Sequence, residues 1–304
     1  MKLAIGFFDG VHLGHRRILA GADAALTFRE HPLSVLAPDK APPLLMTPEE
    51  RLAAIAATLK GFNVRALSFT HELAAEPADA FATRLRRDYP DLETILCGPN
   101  WRFGAGGAGD ADFLRARGFA VEVVPLEEQD GAPVSSTRIR AALQAGDLPA
   151  ANAMLGRPFA VAGEVASGKG EGRKLGFPTI NVRPANPCLA RLLPFGVYVA
   201  DTAWGCAVAN WGQAPTMGEQ AWPAPVLEVH VIRPLTALSP LMSPTSPVSP
   251  ASPTSPASLE PLKPLTVSLL RFLRPERRFA SVEALREQIK ADVFSASHSP
   301  QDRL

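Results

Sequence analysis

The 304-residue chain has few cysteines, no charge excess and no long apolar run. Cys97, Cys188 and Cys206 are odd in number and widely spaced. They form neither a disulfide framework nor a zinc motif, and read as small buried apolar residues in a reducing compartment, the cytoplasm. The 31 basic residues nearly match the 30 acidic ones, leaving a net charge of +1. That balance gives no global argument for nucleic acid or an acidic membrane as partner. No stretch of ~18 or more uncharged apolar residues is present, so no transmembrane helix is expected. The opening MKLAIGFFDGVHLGH is a poor secretion signal. Asp9 and His12 interrupt its apolar run, and no small-residue cleavage site follows.

Proline is abundant instead. The chain has 30, against a usual share of ~5%. Nine of them lie between Pro234 and Pro264. The run SPLMSPTSPVSPASPTSP, Ser239 to Pro256, repeats Ser-Pro six times at near three-residue spacing. That period suits polyproline II, and 18 residues of it reach roughly 55 Å at ~3.1 Å each. With so little apolar surface the segment is expected to be a mobile loop. A docking or phosphorylation segment is the other reading, with nothing in the sequence to support it.

Length predicts two domains. From Lys2 to Val124, short strands alternate with helices: Leu3–Phe7, Ala25–Phe28, Val64–Phe69, Thr94–Cys97 and Ala120–Val124 against helices from Pro48 to Gly61 and over Pro77–Asp88. Thr47, Pro48 and Glu50 form a helix start with a capping box. The alternation predicts an α/β domain whose mainly parallel sheet binds ligands at the carboxyl ends of its strands. Helices over Ser136–Ala145 and Leu148–Leu155 end at Gly156, which suits a left-handed cap, and Pro158 blocks continuation. The domain boundary is placed there, giving domains 1–156 and 157–304. Beyond it come short β-like runs between Gly and Pro turns: Phe159–Val165, Thr179–Val182, Val197–Ala200, Cys206–Asn210, Val226–Ile232 and Thr266–Leu273. They predict a small antiparallel barrel or sandwich. A helix over Ser281–Phe294 closes the chain.

Four motifs carry chemistry. In GFFDGVHLGH, Gly6 and Gly10 allow close backbone approach, Asp9 lies between them, and helix-start amides favour phosphate. His12 and His15, three apart, share a helix face and can donate to phosphoryl oxygens. In VSSTRIR, Ser135 or Ser136 caps a helix, and hydroxyls, amides and Arg138 converge on one phosphate. Around Gly168, Gly170 and Gly172, a glycine loop carries Lys169, while Thr179 and Asn181 alternate onto one strand face. Two neutral oxygen ligands there suit a Mg²⁺ that keeps its waters. In VLEVHVI, Glu228 stands in an apolar strand, as a general base or as a paired structural carboxylate. His230 shares its face and reads as a neighbour. Two weaker segments, TFREHP and GPNWRFG, follow predicted strands and bring Phe28, Trp101 and Phe103, either ring-stacking platforms or ordinary core aromatics.

GFFDGVHLGH, TFREHP, NWRFG and SSTRIR, in this order, resemble the FMN adenylyltransferase module of bacterial bifunctional riboflavin kinase/FAD synthetases. GKGEGRKLGFPTIN, FGVYVA, NWGQAPT, VLEVHV and the C-terminal LRFLRPERRFASVEALREQIKAD resemble their riboflavin kinase domain. The resemblance implies a Rossmann-like nucleotidyltransferase domain followed by a six-stranded Greek-key barrel. It implies riboflavin phosphorylation to FMN by ATP and FMN adenylylation to FAD with pyrophosphate released. By the motif match, His12 and His15 bind ATP phosphates, Ser136, Thr137 and Arg138 complete that site, and Gly168, Lys169, Gly170 and Gly172 bind phosphate in the kinase. His31, Asn100, Trp101 and Phe103 would face flavin. Thr179 and Asn181 would hold Mg²⁺, and Glu228 would activate the riboflavin hydroxyl. The chain departs from the family in a Trp for Phe at 101, in Ala214, in a short stretch from His15 to Thr27 and in the Ser-Pro tract after Glu228. An adenylyltransferase with an impaired kinase and a nonenzymatic flavin or nucleotide binder are the competing readings. Oligomeric state is left open.

Overall fold

The computed structural model describes residues 1–59, 63–166, 172, 175–212, 225–232 and 265–298. The chain divides into two compact units, Met1–Ala142 with Ala153–Arg157 and Leu143–Asn152 with Pro158–Leu304. Among the described residues no helix is long and apolar enough to cross a membrane.

The first unit begins with β1 (Lys2–Ile5), α1 (Leu13–Ala20), β2 (Ala24–Phe28), α2 (Pro32–Leu36), α3 (Pro48–Thr58) and β3 (Asn63–Leu67). It continues with α4 (His71–Ala74), α5 (Ala78–Asp88), β4 (Thr94–Cys97), α6 (Ala111–Arg115) and β5 (Ala120–Val123). A short hairpin, β6 (Glu128–Gln129) and β7 (Ala132–Pro133), leads into α7 (Ser136–Gln144); in α8 (Leu148–Leu155), which follows, the residues up to Asn152 belong to the second unit. The five long strands pair in parallel in the order β3-β2-β1-β4-β5. Chain order reverses between β1 and β4, so the loops after these two strands diverge and open a crevice. The shortened stretch before β2 leaves the sheet intact, for β2 is paired on both edges.

Both sheet faces are apolar. Leu3, Ile5, Leu26, Ile95 and Phe81 build one layer, and Ala4, Phe8, Val11, Leu19, Ile55 and Leu96 the other. Thr47 and Glu50 make the anticipated capping box on α3. The predicted stop at Gly61 lies outside the described residues. Sequence periodicity misses α2, α4 and α6, because four or five residues are too few to show a helical repeat. Gly156 takes φ +66°, the left-handed turn expected of it.

The second unit is a barrel of β8 (Phe159–Ala166), β9 (Ile180–Pro184), β10 (Gly196–Thr202), β11 (Gly205–Gly212), β12 (Val226–Val231) and β13 (Leu265–Pro275), with a short α9 (Leu189–Leu192) and the closing α10 (Val282–Ser297). The strands close in the order β10-β11-β12-β9-β8-β13, every pair antiparallel. Alternate residues fill the interior: Val161, Val182, Tyr198, Ala209, Trp211, Leu227, Val229 and Leu269 are buried. Outside, α10 covers Val197, Val199 and Val208 with Ala296 and Val293. It is capped by Ser281, whose hydroxyl accepts from Ala284 N. The Ser-Pro tract lies outside the described residues.

The helix is fixed to the barrel by an ion pair. Asp292, 6% exposed, accepts from Arg274 Nη2 at 2.7 Å, from Nε at 3.1 Å and from Gln288 Nε2 at 2.7 Å. Removing one partner strands the other charge. Asp292→Ala is therefore expected to destabilise the second unit by about 3 kcal/mol, measured by urea unfolding followed through Trp211, while the first unit's transition stays in place.

Candidate functional site

The first site is built on the loop from Gly6 to His12, between β1 and α1. Its backbone is contorted. Phe8 and Val11 take φ +59° and +40°, and Gly10 takes +83°. Left-handed geometry at a β-branched residue costs on the order of 1–3 kcal/mol. Burial of the Phe8 and Val11 side chains, 2% and 1% exposed, holds them there. At Gly10 a Cβ would also lie 2.7 Å from Leu45 Cδ1, so only glycine fits. Arg157 grips the loop from below, its Nη2 donating to Gly10 O at 2.8 Å.

The motif residues divide between facing the crevice and supporting it. Asp9, expected at the phosphates, is turned away from that task. Its carboxylate is 3% exposed, accepts from Leu45 N at 3.1 Å and pairs with Arg140 Nη2 at 2.6 Å. Burial raises its pKa from the ordinary value, and the Leu45 amide and Arg140 work against that rise. Ser136 Oγ donates to Asp9 O at 2.9 Å, joining α7 to the loop. The cap of α7 is Ser135, whose Oγ accepts from Arg138 N. Arg138, expected to converge on phosphate, instead donates through Nη1 to Ala132 O and Pro133 O at 2.7 and 2.8 Å, tying down the β6–β7 hairpin. Thr137 is exposed at the helix start.

The histidines are arranged differently from the expected single helix face. His12 is the N-cap of α1, its Nδ1 accepting from His15 N at 3.4 Å. With Nδ1 an acceptor, the neutral ring carries its proton on Nε2, free to donate. The two rings stack with centroids 3.5 Å apart. Burial, aided by the nearby charges of Arg157 and Arg140, lowers His12 to about 4. Burial and then His12 hold His15 well below its ordinary value. His15 Nδ1 is buried without a hydrogen-bond partner among the described residues, an unmet polar group.

In the loop after β2, His31 caps α2, Nδ1 accepting from Leu33 N at 3.1 Å, and meets the Phe7 ring edge-on at 4.8 Å. Asn100 is exposed in the loop after β4, and Trp101 beside it is half-buried. Phe103, expected to face flavin, is a core residue: 8% exposed, it stacks on Trp101 at 4.8 Å and packs on Phe81 at 4.9 Å. Its aromatic side chain serves as the floor under Trp101.

The second site lies on the outer face of the barrel. Strand register sets Glu228 directly opposite Asn181 on β9 and opposite Asn210 on β11. All three therefore point outward in one row, while Leu227 and Val229 point inward. Burial and then the charge of Glu276 raise the pKa of Glu228. Asn181 Oδ1 is buried with no hydrogen-bond partner. Thr179 is exposed two residues before it, and a Cβ on Gly172 would stand 3.1 Å from Thr179 Oγ1, so the backbone passes close by. A hydroxyl and an unmet amide oxygen, both neutral and hard, suit Mg²⁺. His230 is more than a neighbour. Its Nδ1 lies 2.9 Å from Pro178 O and its ring edges against Phe177, fixing the approach to Thr179. Gly168, Lys169 and Gly170 lie outside the described residues. Asn210 and Glu276 were overlooked in the sequence; NWGQAPT holds the first, but only cross-strand register reveals its partner.

Comparisons with known proteins agree with this layout. The FAD synthetase family model matches residues 1–138, and the riboflavin kinase model matches 155–239 and 262–299, passing over most of the Ser-Pro tract. Bifunctional riboflavin kinase/FMN adenylyltransferases are similar along nearly the whole chain. The Pseudomonas fluorescens protein is 34% identical over 96% of this chain and 90% of its own. Those of Escherichia coli K12 and Bacillus subtilis are 31% and 30% identical, each over 97% of this chain and 91% and 90% of their own. A solved structure titled a macrolide-efflux protein, from Streptococcus pneumoniae, matches with TM-score 0.75 and 24% identity over 98% of this chain and 94% of its own, a likeness of fold alone.

Neutral buried histidines have a pH signature. A histidine with a lowered folded pKa adds stability that is complete above about 6.5 and is lost as pH falls toward the folded value. The unfolding free energy of the wild type minus that of His12→Gln should thus fall by about 3 kcal/mol between pH 7 and pH 4. Calorimetric titration of both proteins measures it, and a flat difference would show that His12 is charged in the fold. With both motif sets in register and both domain models matched, the chain belongs to the bifunctional riboflavin kinase/FMN adenylyltransferase family.

Proposed function

We propose that the two sites divide two reactions between them, with the boundary at Gly156 and Arg157. Residues 1–156 would adenylylate FMN, and residues 157–304 would phosphorylate riboflavin. As a member of its family the chain is an enzyme that makes FMN from riboflavin and ATP, then FAD from FMN and ATP. The observation that carries the kinase assignment is the row Asn181–Glu228–Asn210. An impaired kinase is not favoured, since the family model resumes after the tract and includes the last strand and helix.

In the first site, the Gly6–Gly10 loop, the α1 amides and the Nε2–H of His12 would bind ATP phosphates, with His15 beside them. Neutral imidazoles donate without competing for a proton, and such fixed donors favour charge moving onto departing pyrophosphate. Ser136, Thr137 and Arg138 would shape the far wall, with Asp9 and Arg140 holding it in place. His31, Asn100 and Trp101 would present the flavin side. The FMN phosphate then attacks the α-phosphorus directly, and no covalent enzyme intermediate is needed.

In the second site, Thr179 and Asn181 would hold Mg²⁺, which when bound draws charge from the ATP phosphates. The loop containing Gly168, Lys169, Gly170 and Gly172 would cover those phosphates. Glu228, its proton affinity raised by burial, would accept the proton of the riboflavin 5′-hydroxyl as the γ-phosphoryl is transferred. No disulfide joins Cys97, Cys188 and Cys206, as suits a cytoplasmic enzyme.

Glu228→Gln should lower FMN formation by about 10²–10⁴-fold and leave FAD formation from supplied FMN intact. His15→Ala should do the reverse. Chromatography of reactions with riboflavin or FMN, ATP and Mg²⁺ reads both. Loss of both activities in either folded variant would refute the two-site division.

A further inference from the structure

Neither reaction explains the buried charge of Arg51. This residue, near the start of α3, has no exposed surface. Its Nη2 donates to Phe28 O at 2.5 Å and to Arg29 O at 2.9 Å. Its Cζ lies 3.8 Å over the centroid of the Phe7 ring. Nε and Nη1 are buried and have no hydrogen-bond partner. A buried cation with two unmet donors is among the more costly groups a core can hold, and an apolar side chain of similar length often replaces one without loss. A plain packing role therefore accounts poorly for it.

What Arg51 touches suggests a different role. Phe7 belongs to the loop that carries His12, and Phe28 and Arg29 end β2 and open the loop that carries His31. Thr27 Oγ1 donates to Phe7 O at 3.2 Å, and the Phe7 ring meets His31 edge-on. Arg51 is thus the floor where the two loops meet. Asp9, Glu30 and Glu49 supply the surrounding negative charge. A planar cation suits this place because it stacks on a ring with its face and donates to carbonyls with its edge, which an ammonium cannot do together.

We propose that Arg51 is a positioning residue for the flavin substrate of adenylyl transfer, acting through the Phe7 ring and the Phe28–Arg29 backbone on which His31 stands. The inference rests on the reading of the His31 side as the flavin side. Arg51 itself touches no substrate. Its loss should therefore appear in the handling of FMN, while the ATP side, held by Arg157 and Arg140, is spared.

The full chain is assayed for FAD formation with FMN and ATP varied in turn. Arg51→Met should raise KM for FMN about tenfold or more, with KM for ATP changed by less than about twofold. FMN formation from riboflavin should be unchanged. Arg51→Lys, which keeps the charge but loses the plane, should resemble Arg51→Met. Arg51→Lys decides the matter if Arg51→Met does not fold. An unchanged KM for FMN, or equal rises in both KM values, overturns the proposal. Wild-type protein that cannot convert FMN to FAD sinks the underlying reading instead, before any variant is compared.

Discussion

The first unit depends on one buried carboxylate. Asp9 ties the loop after β1 to Leu45 in the approach to α3 and, through Arg140, to α7. Ser136 adds a second tie through the Asp9 carbonyl. Three segments far apart in sequence thus converge within a few ångströms. An uncompensated carboxylate in that place would be expensive, so each partner is held as firmly as it holds. His12 and His15, at the end of that loop, inherit this rigidity without providing it.

The two sites share an electrostatic logic. Each keeps its acid–base groups away from their ordinary titration range by burial. The histidines are held neutral and able to donate, whereas Glu228 is made readier to take a proton. Charges around them sharpen the effect in the expected direction: arginines beside the histidines, a carboxylate beside the glutamate. Substrate phosphates, bound there as proposed, would bring the negative charge that offsets the guanidinium groups of Arg157 and Arg140.

Much of this was legible in the sequence. The capping box on α3, the left-handed Gly156, the strand alternation of the barrel and the chemistry-bearing motifs follow from local rules. Those rules place residues on elements and do not say which neighbour takes which donor. Their place inside the motifs predicts Asp9 and Arg138 as phosphate ligands, yet tertiary partners claim both side chains. Phe103 was read with Trp101 as a stacking surface, and burial against Phe81 makes it floor instead. Arg51 carried no signal, since a basic residue near the start of a helix is ordinarily a solvated one. Asn210 needed the cross-strand register, which a single strand does not encode.

The left-handed backbone at Phe8 and Val11 makes the loop depend on the side chains packed beneath it. Glycine at either position would relax the turn but remove the side chain that anchors it. The loop is consequently held in shape by the core beneath it, where Ile18, Leu19, Ile55 and Leu96 pack. A substitution that trims this core leaves His12 and His15 untouched, yet releases the turn that leads to them. The placing of the two stacked imidazoles is in this way tied to the volume of the core under the loop.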